Sequence, residues 1–120
     1  MSAVDTLNMA FLERFLDLAT FRQTLVAANL ANIDTPGFRT RDLAFQSELA
    51  WASSDEFKSQ LRPFVRPVYG LIERPDGNNV SLDREGLLLA QTQLQYKAAI
   101  EFIRAEFRRM HAAINDGVES

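Results

Sequence analysis

The first quarter of the chain contains nothing that would interrupt a helix. Residues 4–33 hold neither proline nor glycine, and their apolar residues recur at helical spacing in two separate stripes. One stripe contains Val4, Leu7, Phe11, Phe15, Leu18 and Leu25, and the other contains Leu12, Leu16, Ala19, Val26, Leu30 and Ile33. Either stripe alone predicts an amphipathic helix. Together they predict one long helix that is apolar over far more than one face.

A second long helix is predicted over residues 82–114, where the apolar pattern is more regular. Its positions alternate steps of four and three, which is an a/d seam held for more than three heptads. The seam consists of Leu89, Gln93, Tyr96, Ile100, Ile103, Phe107, Met110 and Ile114. Ser81 is the predicted N-cap, and Asp83 and Glu85 place negative charge in the first turn, where the helix dipole favours it. Asp116-Gly117 is the predicted stop.

Residues 34–80 differ in composition from both flanks and hold all four prolines of the chain. Short helices are predicted over 43–52 and 55–61, and residues 64–72 are predicted to be extended, as an edge strand that tolerates Pro67. A turn is predicted over 75–79. The sequence therefore predicts a mainly α fold, with an antiparallel coiled pair formed by residues 1–33 and 81–120 and a short irregular middle segment at 34–80.

Length decides the expected shape. A helix of about 30 residues is about 45 Å long, whereas a compact domain of 120 residues has a radius of gyration of about 14 Å. Two such helices predict an elongated molecule. A helix pair buries one stripe per helix, so the second stripe of the first helix would remain partly exposed. We expect these helices to complete their packing on other chains.

Composition excludes several classes of function. The chain has a formal net charge of -3 and a pI near 5.1, which disfavours binding to nucleic acid or anionic membranes through net charge. In the middle segment, arginines lie near aromatic residues, but seven acidic residues there outnumber six basic ones. Without cysteine, the chain forms no disulfide or thiolate metal site. We recognise no cleaved signal peptide, and the uncharged runs are too short for a membrane span.

Catalytic patterns are also missing from the sequence. His111 is the only histidine, without metal-binding spacing around it, and we expect it to be a surface or packing residue. The neighbouring acids Asp55-Glu56 and Asp83 with Glu85 point to different helix faces, and we attribute them to capping and solubility. No nucleophile elbow, phosphate-binding loop or dinucleotide-binding glycine pattern is present. We expect no enzymatic activity, no cofactor and no metal.

The most informative segment is 27–39. Its alanines allow another backbone to approach closely, and Asn32 and Asp34 can hydrogen-bond the free carbonyls and amides at a helix end. Thr35-Pro36-Gly37-Phe38 has proline and glycine at the central positions of a type II turn, where Gly37 supplies the positive φ. The segment thus predicts a helix terminus followed by a tight turn.

This segment closely resembles the signature near the N-termini of the flagellar rod and hook proteins. The residues that carry the resemblance are Ala28, Asn29, Leu30, Ala31, Asn32, Asp34, Thr35, Pro36, Gly37 and Phe38. Segments 41–45, 76–85 and 93–97 are similar to the short subunits of the proximal rod, whereas 50–74 adds little. Phe38 departs from the tyrosine that is usual in this family, but either ring should pack at this position.

The resemblance implies a non-enzymatic structural subunit of the flagellar basal-body rod. It implies export by the flagellar type III apparatus without a cleaved signal, followed by folding on assembly around a central channel. The implied partners are further copies of the chain, rod proteins of the FlgC and FlgF types, the adaptor FliE, the membrane ring and the export gate. The expected assembly faces comprise Phe11, Phe15, Leu18, Leu25, Leu89, Tyr96, Ile100, Ile103, Phe107, Met110 and Ile114.

Two alternatives stay open at this point. A rod protein of the FlgC type would have the same role, with a longer middle region and a different C-terminal motif. A cytoplasmic helical adaptor or export chaperone would bind partner helices without being secreted.

Overall fold

The computed structural model describes residues 3–54 and 63–119. The elements within them are α1 (Ala3–Ala31), β1 (Arg41–Leu43), α2 (Phe45–Ser54), β2 (Val65–Pro67) and α3 (Leu82–Glu119). The two long helices pack against each other, and a short middle with a small strand pair separates them in sequence. The predicted mainly α fold is confirmed. In these described ranges, no helix combines the length and the apolarity that crossing a membrane requires.

The helix pair is antiparallel and gives the molecule an elongated shape. The end of α1 lies beside the start of α3, where Asn29 Nδ2 donates to Glu85 Oε2 at 3.2 Å. The extents are 72 × 27 × 18 Å and the radius of gyration is 18.8 Å, against about 14 Å for a compact chain of this length. The predicted elongation is therefore confirmed, and α3 alone spans about 57 Å.

Both apolar stripes of α1 contribute to the core, because α1 is contacted by α3 and also by β1 and α2. Leu18 and Ala19 form a buried cluster with Leu43 and Phe45 of the middle segment. The ring of Phe15 meets that of Phe45 edge to face, with centroids 5.3 Å apart. Part of the apolar surface that we expected other chains to cover is therefore covered within this chain, since the turn after α1 returns β1 and α2 onto it.

The buried residues of α3 lie beside the predicted seam rather than on it. They are Glu85, Leu88, Thr92 and Ala99, at steps of three, four and seven. Because Thr92 and Ala99 are small, they allow a closer approach of the helix axes than the larger seam residues would. Of the seam, Leu89, Ile100, Ile103 and Met110 are half-buried, whereas Gln93, Tyr96, Phe107 and Ile114 are exposed.

Several predicted helix boundaries are wrong. Asp116-Gly117 does not stop α3, because Gly117 does not take a positive φ and a helical glycine costs only about 1 kcal/mol. The helix predicted from residue 43 begins at Phe45, since Arg41–Leu43 pairs as a strand. The helix predicted over 55–61 lies outside the described residues, and α1 ends at Ala31, two residues early.

The two strands form an antiparallel ribbon in the register Arg41 to Pro67, Asp42 to Arg66 and Leu43 to Val65. The extended segment predicted over 64–72 is confirmed for its first part, with Pro67 ending the strand. In the alternation of such a ladder, the N–H and C=O groups of Arg41 point away from β2. The outer edge of β1 therefore faces α1.

The two predicted turns are both present and touch each other. Phe38 N donates to Thr35 O at 3.2 Å with Gly37 at φ +74°, as the type II turn requires. Gly77 N donates to Arg74 O at 2.8 Å, with Gly77 at φ +87°. A Cβ on Gly77 would lie 3.4 Å from the Cα of Gly37. The turn after α1 and the turn before α3 are thus packed back to back.

Replacing glycine by alanine should have opposite effects at Gly37 and Gly86. At Gly37 we expect a loss of about 1–2 kcal/mol in unfolding free energy, because a side chain opposes the positive φ, although a Cβ would meet only an ordinary contact, 4.0 Å from Asp76 O. At Gly86, inside α3 with nothing within 4 Å of a Cβ, we expect a gain of about 0.5–1 kcal/mol. Urea unfolding followed by circular dichroism measures both, and effects of equal sign would contradict the left-handed conformation at Gly37.

Candidate functional site

The signature segment folds into the predicted helix end and turn. Asn32 Nδ2 donates to Ala28 O at 2.8 Å, and Thr35 Oγ1 donates to Asn32 Oδ1 at 3.0 Å. Asp34 is exposed and makes no hydrogen bond within the part of the chain that the structure describes. Of the other motif residues, Leu30 and Phe38 are half-buried, and Ala28, Ala31, Thr35, Pro36 and Gly37 are exposed. The deepest member is Asn29.

Asn29 acts as a substitute for a neighbouring strand. Its Nδ2 donates to Arg41 O at 2.9 Å and its Oδ1 accepts from Arg41 N at 3.2 Å, so the carboxamide pairs with both backbone groups on the outer edge of β1. The same Nδ2 also reaches Glu85 Oε2. One fully buried side chain therefore joins α1, β1 and α3.

The contact between Asn29 and Glu85 is continued by a network of side chains with alternating charges. Arg22 donates to both carboxylate oxygens of Asp42, from Nε at 3.2 Å and from Nη2 at 2.9 Å. Arg84 donates from Nη2 to Asp42 at 2.7 Å and from Nη1 to Glu85 at 2.8 Å. We call Arg22, Asp42, Arg84, Glu85 and Asn29 the polar junction. Its members come from α1, β1 and α3.

The attribution of Glu85 to capping and solubility is wrong. Its side chain is fully buried and is held by Arg84 and Asn29, because α3 approaches α1 along the face that starts at this residue. Asp83 is exposed, in agreement with a role in the first turn.

The environment of Asp42 stabilises its ionised form. Burial alone would raise its pKa, but the hydrogen bonds from Arg22 and from Leu43 N, the charge of Arg22 and the hydrogen bond from Arg84 together lower it below its usual value. Since the folded pKa lies below that of the unfolded chain, this carboxylate stabilises the fold above about pH 3.9. The contribution is lost as the pH falls through the folded pKa.

Asn78 caps the end of α1 from the other side of the chain. Its Nδ2 donates to Asn32 O at 2.9 Å and to Thr35 O at 2.8 Å, and its Oδ1 accepts from Val80 N at 2.9 Å. The side chain is fully buried. Both carbonyls also accept a backbone N–H, from Thr35 and Phe38, so Asn78 adds a second hydrogen bond to each from more than 40 positions away.

Asn79 holds the chain between the turn and β1. Thr40 N donates to Asn79 Oδ1 at 2.7 Å, and Asn79 N donates to Phe38 O at 3.3 Å. Nearby, Arg74 donates to the carbonyl of Ile33, and Arg39 donates to that of Gly77. The segment before α3 is thus bound along the whole signature segment after α1.

The arrangement supports a structural role. Among the described residues, no three histidine, aspartate or glutamate side chains are grouped so that they could hold a metal ion. The two junction carboxylates, Asp42 and Glu85, are engaged by arginines. His111 is exposed beside Asn115, with Nε2 and Nδ2 3.2 Å apart. What the site does is fix the end of one long helix against the beginning of the other.

The residues expected on assembly faces are divided between the interior and the surface of the chain. Leu18 is buried, and Phe15 and Leu25 pack against the same cluster. Phe11 on α1 is exposed, like Tyr96, Phe107 and Ile114 on α3. The sequence reasoning did not single out the other exposed apolar residues of α3, namely Leu82, Leu87, Leu94 and Phe102.

The sequence predicts the signature segment after α1, but it does not predict that the segment before α3 contacts it. Buried charges such as Asp42 and Glu85 have no periodic signature, and Asn78 and Asn79 resemble ordinary turn residues. One signal could have found them. The segments that carry the resemblance to a family include both 28–38 and 76–85, and these two segments contact each other.

Comparison with known proteins identifies similar chains. The sequence model of a family described as "Flagella basal body rod protein" matches residues 19–39. Flagellar basal body rod protein FlgB of Salmonella typhimurium is 31% identical over 95% of this chain and 99% of its own length. FlgB of Proteus mirabilis (strain HI4320) is 31% identical over 89% and 93%, and FlgB of Bacillus subtilis is 30% identical over 88% and 92%.

Asn29→Ala should destabilise the chain strongly. It leaves the N–H and C=O groups of Arg41 unpaired and removes a donor from Glu85, and we expect a loss of about 2–4 kcal/mol in unfolding free energy. Asn115→Ala, which removes an exposed asparagine that contacts only His111 among the described residues, is the matched control and should change stability by about 0.5 kcal/mol or less. Equal urea midpoints for the two variants would contradict the strand-substitute role.

Proposed function

The chain belongs to the FlgB family of flagellar basal body rod proteins, and we propose that it builds the rod through the apolar helix faces that its own fold leaves open. Full-length relatives at about 30% identity carry the family assignment. As a member of this family, the chain is a structural subunit of the rod and assembles with other rod components. This membership decides against the FlgC-type and adaptor alternatives. We further propose that the chain has no enzymatic activity.

The observation that carries the assembly proposal is the exposure of large apolar side chains on α3. Phe107 is 56% exposed, Ile114 is 64% exposed and Tyr96 is 42% exposed. These residues are 11 and 7 positions apart and so lie along one stripe of α3, and exposed apolar surface on a soluble protein marks an interaction site. Together with Phe11 of α1, these residues supply the surface for neighbouring subunits. Leu18 is buried and Phe15 and Leu25 are half-buried. These three residues instead pack α1 against the core of its own chain.

The identity of the neighbours follows from the family rather than from the geometry. We propose further copies of this chain, rod proteins of the FlgC and FlgF types and the adaptor FliE as partners, next to the membrane ring and the export gate. In this proposal the subunit lies in the proximal, periplasmic part of the rod, after export by the flagellar type III apparatus. In this proposal residues 1–33 and 81–120 are the rod-building core, and residues 34–80 support the end of α1.

Folding coupled to assembly is the mechanism we propose. Residues 111–117 of α3 are all exposed, and a helical segment without tertiary packing is marginal in water. Free subunits should therefore be less helical than assembled ones. The neighbours supply the surface against which this part of α3 becomes stable.

If the chain is a rod subunit, a strain that lacks its gene should fail to build the rod. Mass spectrometry should find the chain in purified basal bodies of the source bacterium, and deletion of its gene should remove the rod beyond the membrane ring. Recovery of the chain from the cytoplasm alone, with rods assembled normally in the deletion strain, would refute the function.

If the exposed apolar residues of α3 form an assembly face, a substitution there should leave the fold intact and prevent assembly. Phe107→Glu should abolish motility and rod assembly in a complemented deletion strain, because it places a charge in a desolvated contact. The stability of the purified chain should change by about 0.5 kcal/mol or less, since the residue is mostly exposed. Lys97→Glu, at an exposed position off the seam, is the control and should retain motility. Motility of the Phe107 variant equal to that of the control would remove this face from the proposal.

A further inference from the structure

A cleft of about 690 Å³ lies between the strand ribbon and α3. Its described lining includes three arginines but a single aspartate: Arg22, Arg66, Arg84 and Asp42. Apolar walls come from Phe45, Val68 and Tyr69, and Gln91 and Gln95 of α3 close the far side. Three members of the polar junction, Arg22, Asp42 and Arg84, line this cleft and hold one another through ion pairs.

Arg66 is the arginine of the cleft's described lining that is not paired with Asp42. Arg22 and Arg84 are engaged by Asp42, whereas the side chain of Arg66 is exposed and makes no ion pair or hydrogen bond within residues 3–54 and 63–119. Tyr69, three positions along, is 86% exposed. Arginine and tyrosine dominate the binding energy of many protein interfaces. The mouth of the cleft therefore has what an acidic partner with an apolar side chain needs.

The far end of α3 has that chemistry, and its residues 111–117 are exposed. Moving 26 residues along both helices from the contact between Asn29 and Glu85 reaches Ala3, the first residue of α1, and His111 on α3. Beyond this point α3 has no α1 beside it. Asp116 and Ile114 are exposed there, and the last turn contains no basic residue. Because the C-terminal end of a helix is its negative end, acidic side chains there favour a cationic partner.

We propose that the end of α3 in one copy docks into the cleft of a second copy, where Asp116 pairs with Arg66. Ile114 is two positions away and projects from nearly the opposite face of the helix, where it packs against the apolar lining of the cleft. The cleft has room for the end of α3, since one helical turn with its side chains occupies about 400–600 Å³. The contact cannot form within one chain, because α3 is a continuous helix and Asp116 lies about 30–40 Å along it from Gln91 and Gln95. A contact between different surfaces of successive copies is head-to-tail and generates rings or helical assemblies.

This inference rests on the proposed function, which it narrows to one contact between copies. Cysteine cross-linking tests it directly, since the natural chain has no cysteine. Purified full-length chains carrying Gln46→Cys, at the cleft, are mixed with chains carrying Asn115→Cys, and a short bismaleimide is added at a concentration where circular dichroism shows the chains to be helical. We expect a several-fold higher yield of heterodimer than with Gln23→Cys, an exposed glutamine of α1 outside the described lining of the cleft.

Charge reversal then separates the proposed contact from general association. Arg66→Glu in the cleft chain should reduce the heterodimer yield about fivefold, and Asp116→Arg in the other chain should restore it. Arg41→Glu, the same change at an exposed arginine of the neighbouring strand that does not line this cleft, should leave the yield unchanged. Equal yields from positions 46 and 23, or a yield insensitive to Arg66→Glu, would overturn the contact. Loss of the rod in the deletion strain would still support rod membership in that case. Failure of the proposed contact can therefore be distinguished from failure of the proposed function.

Discussion

The carboxamide of Asn29 is the contact on which the arrangement of this chain depends. Without it, the outer edge of β1 would face the end of α1 with an unpaired N–H and C=O group, and unpaired buried backbone groups are strongly disfavoured. By satisfying both groups of Arg41 and reaching Glu85, this one side chain ends the ribbon. It also sets the position of α3 along α1.

We infer that the charges around Asn29 contribute to the specificity of the fold as well as to its stability. Removing Asp42 and Glu85 from water is costly, and their arginine partners offset that cost without a large surplus. Apolar helix faces alone could slide by one turn and still bury similar area. We infer that the polar junction selects one register, since a shift by one turn would leave a buried carboxylate unpaired. The remaining apolar faces of both helices then stay available at defined positions.

The elements that the sequence predicts well are those with strong local signals. Uninterrupted helical spacing gives α1 and α3, and glycines at positive φ give the turns at Gly37 and Gly77. Strands of three residues are too short to show a period, so the pairing of Arg41–Leu43 with Val65–Pro67 could not be seen. The contact face of α3 was displaced from the predicted seam because the small Thr92 and Ala99 resemble surface residues in a sequence. In the candidate site, the signature after α1 was evident and its contact with Asn78 and Asn79 was not, since tertiary contacts decide it.

The position of these contacts in the sequence connects the fold to assembly. Asn29 and Glu85 are 56 residues apart, and Thr40 and Asn79 are 39 apart, so each contact closes a long loop and costs chain entropy before other contacts compensate for it. The end of α1 therefore acquires its final structure only when the start of α3 arrives. Until then both helices present apolar faces without a fixed partner. This dependence on distant contacts agrees with the proposed coupling of folding to assembly, in which neighbouring subunits cover what remains exposed.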